Sequence, residues 1–313
     1  MNAGITVVIP TYGHAHLIQD ALNSIFNQTL LPETVVVIND GSPDDTDAAV
    51  MPYRDRIHYV VQNHQGISAT LNASLDYVST PYVMFLASDD WLEREALEVL
   101  LDRLKAHPEV GLVHANRGKV VGDVTWWRDA EVPHYGVYRD LPRLMTRYSV
   151  YAPAVLWRTQ AVREILPIPP YPYCQDWWMS IKVALNGWAF YGTPEILGYY
   201  RRHGKNTTRR DRLEDIVRDE MQMLRDFIDS DQLPQPLVQV AETAIRDRKR
   251  VLAWRMVEEW RYREARHLFW QLVHDPRDRF NTAMGFLASW MPRPLYTWIH
   301  RQHLAALELN QML

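Results

Sequence analysis

The segment PYVMFLASDDW, Pro81 to Trp91, decides how this chain folds. Tyr82 to Leu86 is an apolar run that ends abruptly in Ser88, Asp89 and Asp90. A run that is apolar at every position reads as a strand covered on both faces. It delivers two adjacent carboxylates to its C-terminal end, where open α/β sheets bind their ligands. Unpaired buried carboxylates are costly, so the pair needs a reason. One reason is a divalent cation that holds substrate phosphates through oxygen ligands. The other is capping of a helix expected to begin near Leu92.

Working outward, the same pattern repeats. Ile5 to Ile9 is a β-branched run ended by Pro10, and Val35 to Ile38 and Ile57 to Val61 are further strands. Between them lie amphipathic stripes: Leu17, Ile18, Ala21, Leu22, Ile25 and Phe26, then Ile67, Leu71, Leu75 and Val78. After the opening strand a helix carries Ala96, Leu97, Leu100, Leu101 and Leu104 on one face, and Gly111 to Ala115 is another strand. Alternation of buried strands with helices predicts an α/β fold with a mostly parallel, doubly wound sheet. Further on, Lys119 to Arg128 and Tyr148 to Trp157 read as strands, and Asp176 opens a helix that ends at Gly187. Ala189 to Tyr191 and Ile196 to Tyr200 are two short strand-like pieces. From about Arg209 the periodicity is helical, which divides the chain into an α/β region, 1–208, and an all-helical C-terminal extension, 209–313.

Composition narrows the function classes. Of 313 residues 47% are hydrophobic and 23% charged, an ordinary balance for a globular protein with a sizeable core. A net charge of −4 gives no sign of a nucleic-acid partner. One cysteine, Cys174, excludes a disulfide framework and suits a reducing, cytoplasmic setting, or the cytoplasmic face of a membrane. The start of the chain lacks a basic, apolar leader pattern, and no apolar run is long enough to span a bilayer. Phe280 to Ile299 carries Phe286, Leu287, Trp290, Met291, Leu295, Trp298 and Ile299, with Arg279, Arg293 and Arg301 nearby. Packing within the tail is the first expectation for that stretch; a membrane-surface helix and self-association into a homo-oligomer are the alternatives.

The motifs, taken in order, carry a resemblance. Val7 to Tyr12, Val37-Ile38-Asn39-Asp40-Gly41-Ser42 with Asp45, Asn63-x-x-Gly66 with Asn72, Ser88-Asp89-Asp90, Gln175-Asp176 and Tyr200-Arg201-Arg202-His203 stand at strand ends or loops. Over residues 4–208 this set resembles glycosyltransferase family 2, inverting enzymes with the GT-A nucleotide-sugar fold. The resemblance implies a nucleoside-diphosphate-sugar donor, most simply a UDP-sugar, a Mn²⁺ or Mg²⁺ ion, and a glycan or lipid-linked hydroxyl acceptor. Pro10 and Tyr12 would border the nucleobase, with Tyr12 stacking on it. Asp40 would accept hydrogen bonds from base or ribose, being acceptor-only. Asn63, Gly66, Asn72 and Ser88 would shape the nucleotide pocket. Asp89 is the first choice of metal ligand, with Asp90 and His203 beside it, and Arg201 and His203 would meet the diphosphate. Asp176 would be the general base that takes the acceptor's proton, flanked by Trp177 and Trp178 as a sugar platform.

Two positions depart from the family pattern. Ala87 stands where many members have an acid two residues before Asp89, and Leu71 where many have an arginine before Asn72. They lend weight to a degenerate binding protein as a rival reading. A sugar-nucleotide pyrophosphorylase is the other rival, disfavoured because Pro10-Thr11-Tyr12-Gly13-His14 has one glycine and no lysine or arginine to cradle a triphosphate.

Overall fold

Four parallel strands build one half of the sheet: β1 (Ile5–Thr11), β2 (Thr34–Asn39), β3 (His58–Val61) and β4 (Tyr82–Phe85), in the order β3-β2-β1-β4. They are joined through α1 (Ile18–Phe26), α2 (Thr46–Val50) and α3 (Ile67–Ser74). In this computed structural model residues 4–122, 124–130, 132–273 and 279–290 are described. The chain forms two compact units, Met1–Arg209 and Arg210–Leu313.

The second half of the sheet follows with β5 (Trp91–Leu92), α4 (Ala96–Ala106), β6 (Val110–Val121), β7 (Val124–Ala130), β8 (Gly136–Tyr138), α5 (Leu141–Thr146), β9 (Val155–Arg158), α6 (Thr159–Arg163), α7 (Gln175–Leu185) and β10 (Ala189–Arg202). The path across the sheet is β3-β2-β1-β4-β9-β6-β10-β5, with β7 on β6 and β8 on β10. β9 and β5 run antiparallel to their neighbours, so the sheet is mixed but mostly parallel. Ile5, Val7 and Ile9 of β1, Leu22 and Ile25 of α1 and Leu97 and Leu100 of α4 are fully buried in one core. Each such side chain contributes about 1.5–3 kcal/mol relative to exposure.

Several elements differ from the sequence expectation, each for a visible reason. The helix expected from Leu92 begins at Ala96, because Trp91 and Leu92 instead pair antiparallel with Tyr199 and Gly198. The Trp91 and Tyr199 rings stack at 5.5 Å, a partner no local pattern reveals. Pro10 does not end β1: it sits opposite Ile38, and only its pairing with β4 stops, at Val8. The 119–128 strand is a hairpin of β6 and β7 turning at Gly122, whose φ is +57°. Of the strand expected over 148–157, only β9 forms. The two pieces after α7 are one strand, β10, with register shifts around Pro194 and Glu195.

The second unit is α8 (Leu213–Asp229), α9 (Gln235–Glu258), α10 (Tyr262–Leu272) and α11 (Arg279–Ala288). Gly285 of α11 lies so close to the fully buried Phe269 that an added Cβ would fall 2.2 Å from its ring. Among the described residues no helix is long and apolar enough to cross a membrane. Phe286 packs into the helical core, whereas Leu287 and Trp290 are exposed. Met291, Arg293, Leu295, Trp298, Ile299 and Arg301 lie outside the described residues.

Candidate active site

β1, β4 and β10 end at one rim of the sheet, and each adds a ligating side chain just beyond its end. His14 follows β1, Asp89 follows β4 and His203 follows β10; each offers a ligand atom within 4.8 Å of the other two. Hydrogen bonds set the two rings. Ser88 Oγ meets His14 Nδ1 at 2.9 Å, and the His14 and His203 rings meet edge to face at 5.5 Å. The Lys205 backbone N–H donates to His203 Nδ1 (3.2 Å), which leaves the proton on Nε2, and Nε2 donates to Asp89 Oδ2 at 2.9 Å; a cation would take the place of that proton. Asn206 Nδ2 reaches the same oxygen at 3.3 Å. Burial holds the His14 pKa below its ordinary value, opposed by the charge of Asp89, so its imidazole is neutral at neutral pH. Two imidazoles and one carboxylate could hold a divalent transition ion, and they fit Mg²⁺, which favours oxygen ligands, less well.

Asp90 belongs elsewhere. It is 2% exposed, and its Oδ1 accepts the Arg201 backbone N–H at 3.0 Å, fastening the end of β10 to the β4 loop. It therefore neither caps α4, which begins after Glu95, nor joins the His14–Asp89–His203 cluster. Burial, reinforced by the neighbouring Asp89 charge, holds its carboxyl well above the usual carboxylate range. Arg201 is also committed. Its guanidinium bonds Asp20 at 2.6 Å and the Asp89 carbonyl at 3.1 Å and lies over the Trp91 ring.

The nucleotide loops converge on Asp40. Its buried carboxylate accepts Gln62 Nε2 at 2.7 Å, the Gln65 and Gly66 N–H groups at 2.9 Å each, and His64 Nδ1 at 2.8 Å. A carboxylate has about four lone-pair sites, and these four donors occupy them. Gly41, at φ +71°, allows this approach: a Cβ there would lie 2.9 Å from the His64 nitrogen. Gly66, also at positive φ, starts α3. Tyr12 is 46% exposed and its ring stacks on His64 at 4.1 Å. Asn63 is exposed. Asn72 is not a pocket wall: both ends of its amide bond the Ile168 backbone at 2.8 Å, and Ser68 Oγ bonds the Tyr171 carbonyl. α3 thus clamps the proline-rich loop that leads to α7.

That loop sets Asp176 in the first turn of α7, where its Oδ1 accepts the Trp177 N–H at 2.8 Å. The Tyr148 hydroxyl also donates to it. Burial raises the Asp176 pKa, and the Tyr148 bond, the backbone N–H groups and the charge of Arg117 pull the other way. Arg117 of β6 acts on Asp90 as well, so one cation lies within electrostatic reach of both carboxylates. Its guanidinium rests over the Tyr200 ring at 4.7 Å. Trp177 and Trp178 are 1% and 8% exposed and pack in the core, which removes them as a sugar platform.

With this geometry in hand, comparison with known proteins is decisive about family. The model of glycosyl transferase family 2 matches residues 6–165, just over half of the chain. The chain belongs to that family. Over 103 residues it is 36% identical to Glycosyltransferase GlyA of Streptococcus pneumoniae, covering 32% of this chain and 15% of that protein. It is 26% identical over 116 residues to the poly-beta-1,6-N-acetyl-D-glucosamine synthase of Staphylococcus aureus, 36% of this chain and 28% of that one. The chain thus spans less than a third of the length of these curated relatives. Among solved structures, S. aureus TarS 1-349 with UDP-GlcNAc superposes with a TM-score of 0.59 at 18% identity, over 92% of this chain and 79% of that one. Mannosyltransferase PcManGT from Pyrobaculum calidifontis, in complex with GDP-Man and Mn²⁺, gives 0.59 at 17% identity, over 96% and 84%. The shared fold is GT-A.

The family 2 match ends at Ile165, before Asp176 and His203. Four residues of this family 2 site escaped sequence reasoning. His14 and His64 were loop histidines without a spacing signal, Arg117 lay between two segments read as strands, and Tyr148 stood inside one. Only His14 had a clue, its place in the loop directly after β1.

Proposed function

We propose that the chain is an inverting glycosyltransferase that moves a sugar from a nucleoside-diphosphate donor, a UDP-sugar, to a hydroxyl of a glycan or lipid-linked acceptor. The observation that carries this is the set of three strand-end ligands, His14, Asp89 and His203, with the desolvated carboxylate of Asp176 tied to the same region by Arg117. The choice of UDP is supported by relatives whose names or bound ligands contain N-acetylglucosamine or UDP-GlcNAc. A GDP-sugar is the second reading, favoured by the GDP-Man of PcManGT.

In this mechanism the acceptor hydroxyl attacks the anomeric carbon from the face opposite the diphosphate. Asp176 removes its proton as the new C–O bond forms and the bond to the diphosphate breaks. A raised pKa makes Asp176 a stronger base than an ordinary aspartate. Arg117 and the Tyr148 hydroxyl hold the carboxylate and favour its charged form. A divalent ion held by His14, Asp89 and His203 would supply charge neutralisation for the departing diphosphate.

Thermal-shift screening of nucleoside diphosphates and their sugars, with and without Mn²⁺, tests the proposal. A native-state ligand raises apparent stability. The expected result is a UDP-dependent shift that grows with Mn²⁺; no shift with any nucleotide would sink it.

A further inference from the structure

His64 makes the two contacts that a nucleobase makes in a stacking pocket. Its ring lies on Tyr12 with centroids 4.1 Å apart and planes 24° from parallel. Its Nδ1 points at Asp40 Oδ2 at 2.8 Å and at the Asp40 carbonyl at 3.1 Å. Both partners only accept, so Nδ1 carries a proton and donates it. A ring N–H on a carboxylate, beneath an aromatic stack, is how a planar heterocycle would be read by the same two residues.

We infer that His64 is a built-in stand-in for the nucleobase, which the incoming donor must displace from Tyr12 and Asp40. This rests on the nucleotide-sugar reading and adds to it a competing residue and a physical reason for the base preference. The other donors to Asp40 differ in kind: two are backbone N–H groups of the 65–66 turn, and Gln62 is also tied to Thr70 at 3.1 Å. His64, with a side chain 53% exposed, is the donor with room to swing into solvent. When it leaves, one acceptor site on Asp40 opens, with the carboxylate as its only chemistry. A base with a ring N–H on its pairing edge replaces the lost donor one for one: uracil through N3–H or guanine through N1–H. Cytosine and adenine present a bare ring nitrogen there and would set acceptor against acceptor. The competition lowers apparent affinity by the fraction of molecules in which His64 is already out of the way.

Calorimetric titration of UDP, GDP, CDP and ADP, with Mn²⁺ present, into wild type, His64→Ala and His64→Phe tests this. The alanine variant should bind UDP or GDP about tenfold tighter than wild type, with CDP and ADP left weak. His64→Phe keeps the stack but loses the N–H, so its affinity should fall between the two. Titrated UDP should also move the His64 ring signals of the wild type to positions typical of a solvated imidazole. Equal or weaker UDP binding by His64→Ala, or His64 signals that stay put as UDP binds, overturns the inference while leaving the nucleotide reading intact. Absence of binding by all four nucleotides to every protein removes the nucleotide reading and this inference together.

Discussion

The Tyr148 hydroxyl donates a hydrogen bond to the Asp176 carboxylate, joining the segment before β9 to the first turn of α7. Burial, then the charge of Asp176 and this bond, raise the Tyr148 pKa well above its usual value, so the proton stays on the phenol. A neutral donor facing a carboxylate favours the ionised base.

The sign of the pH effect follows. Burial raises the Asp176 pKa and the Tyr148 bond lowers it. Tyr148→Phe removes only the lowering contribution, so the acid limb of kcat/KM should move to higher pH. Stability responds in the same sense: a carboxyl with a raised folded pKa loses stability as pH rises through that pKa, and the phenylalanine variant should lose more of it, over a window that extends to higher pH. A pH–rate profile and denaturation across pH 4–8 check both; an unmoved acid limb contradicts the role.

Asp176→Asn keeps the size and the acceptor of the Trp177 N–H but cannot take a proton. Transfer should fall by about 10³-fold or more, with nucleoside-diphosphate affinity nearly unchanged. Turnover near that of the wild type would exclude Asp176 as base.

His14→Ala removes one imidazole from the strand-end cluster. Mn²⁺ affinity, measured by electron paramagnetic resonance of the free ion, should fall about 10- to 100-fold, whereas metal-free nucleotide binding should not change. Wild-type Mn²⁺ affinity would restrict any ligand set to Asp89 and His203.

Asn72→Ala breaks both bonds to Ile168 and leaves a backbone N–H and carbonyl without partners. The cost should be about 2–4 kcal/mol by chemical denaturation. Proteolytic cleavage should appear within residues 167–173, and kcat should drop with little change in nucleotide affinity. A fully stable, uncleaved variant would show that the loop is held by other means.

The first half of the fold was legible because β1, β2 and β4 are continuous apolar runs, and burial on both faces writes itself into such sequences. Asp89 was legible for a related reason, a charge at the end of an apolar strand. Asn72 misled because its partner, Ile168, is remote in sequence and its contact is to backbone, which no residue type signals. Trp91 and Leu92 misled because their helix-compatible pattern is overridden by pairing with Gly198 and Tyr199. Asp40 was legible as an acceptor, but its present donors, Gln62, His64, Gln65 and Gly66, were not, because loop contacts of this kind leave no spacing signal.

β10 has an effect on the order of assembly. It is the last strand of its unit, yet it lies between β6 and β5, and it alone brings His203 to Asp89 and the Arg201 N–H to Asp90. Such remote pairings form late, because the chain between them must close first. A chain growing from its N-terminus therefore builds its nucleotide loops well before its third ligand arrives, and a fragment stopping at residue 165 would hold His14 and Asp89 without His203. If the three residues hold a cation as proposed, its capture would report that the whole α/β unit has been completed, and Mn²⁺ uptake would serve as a clock for its folding.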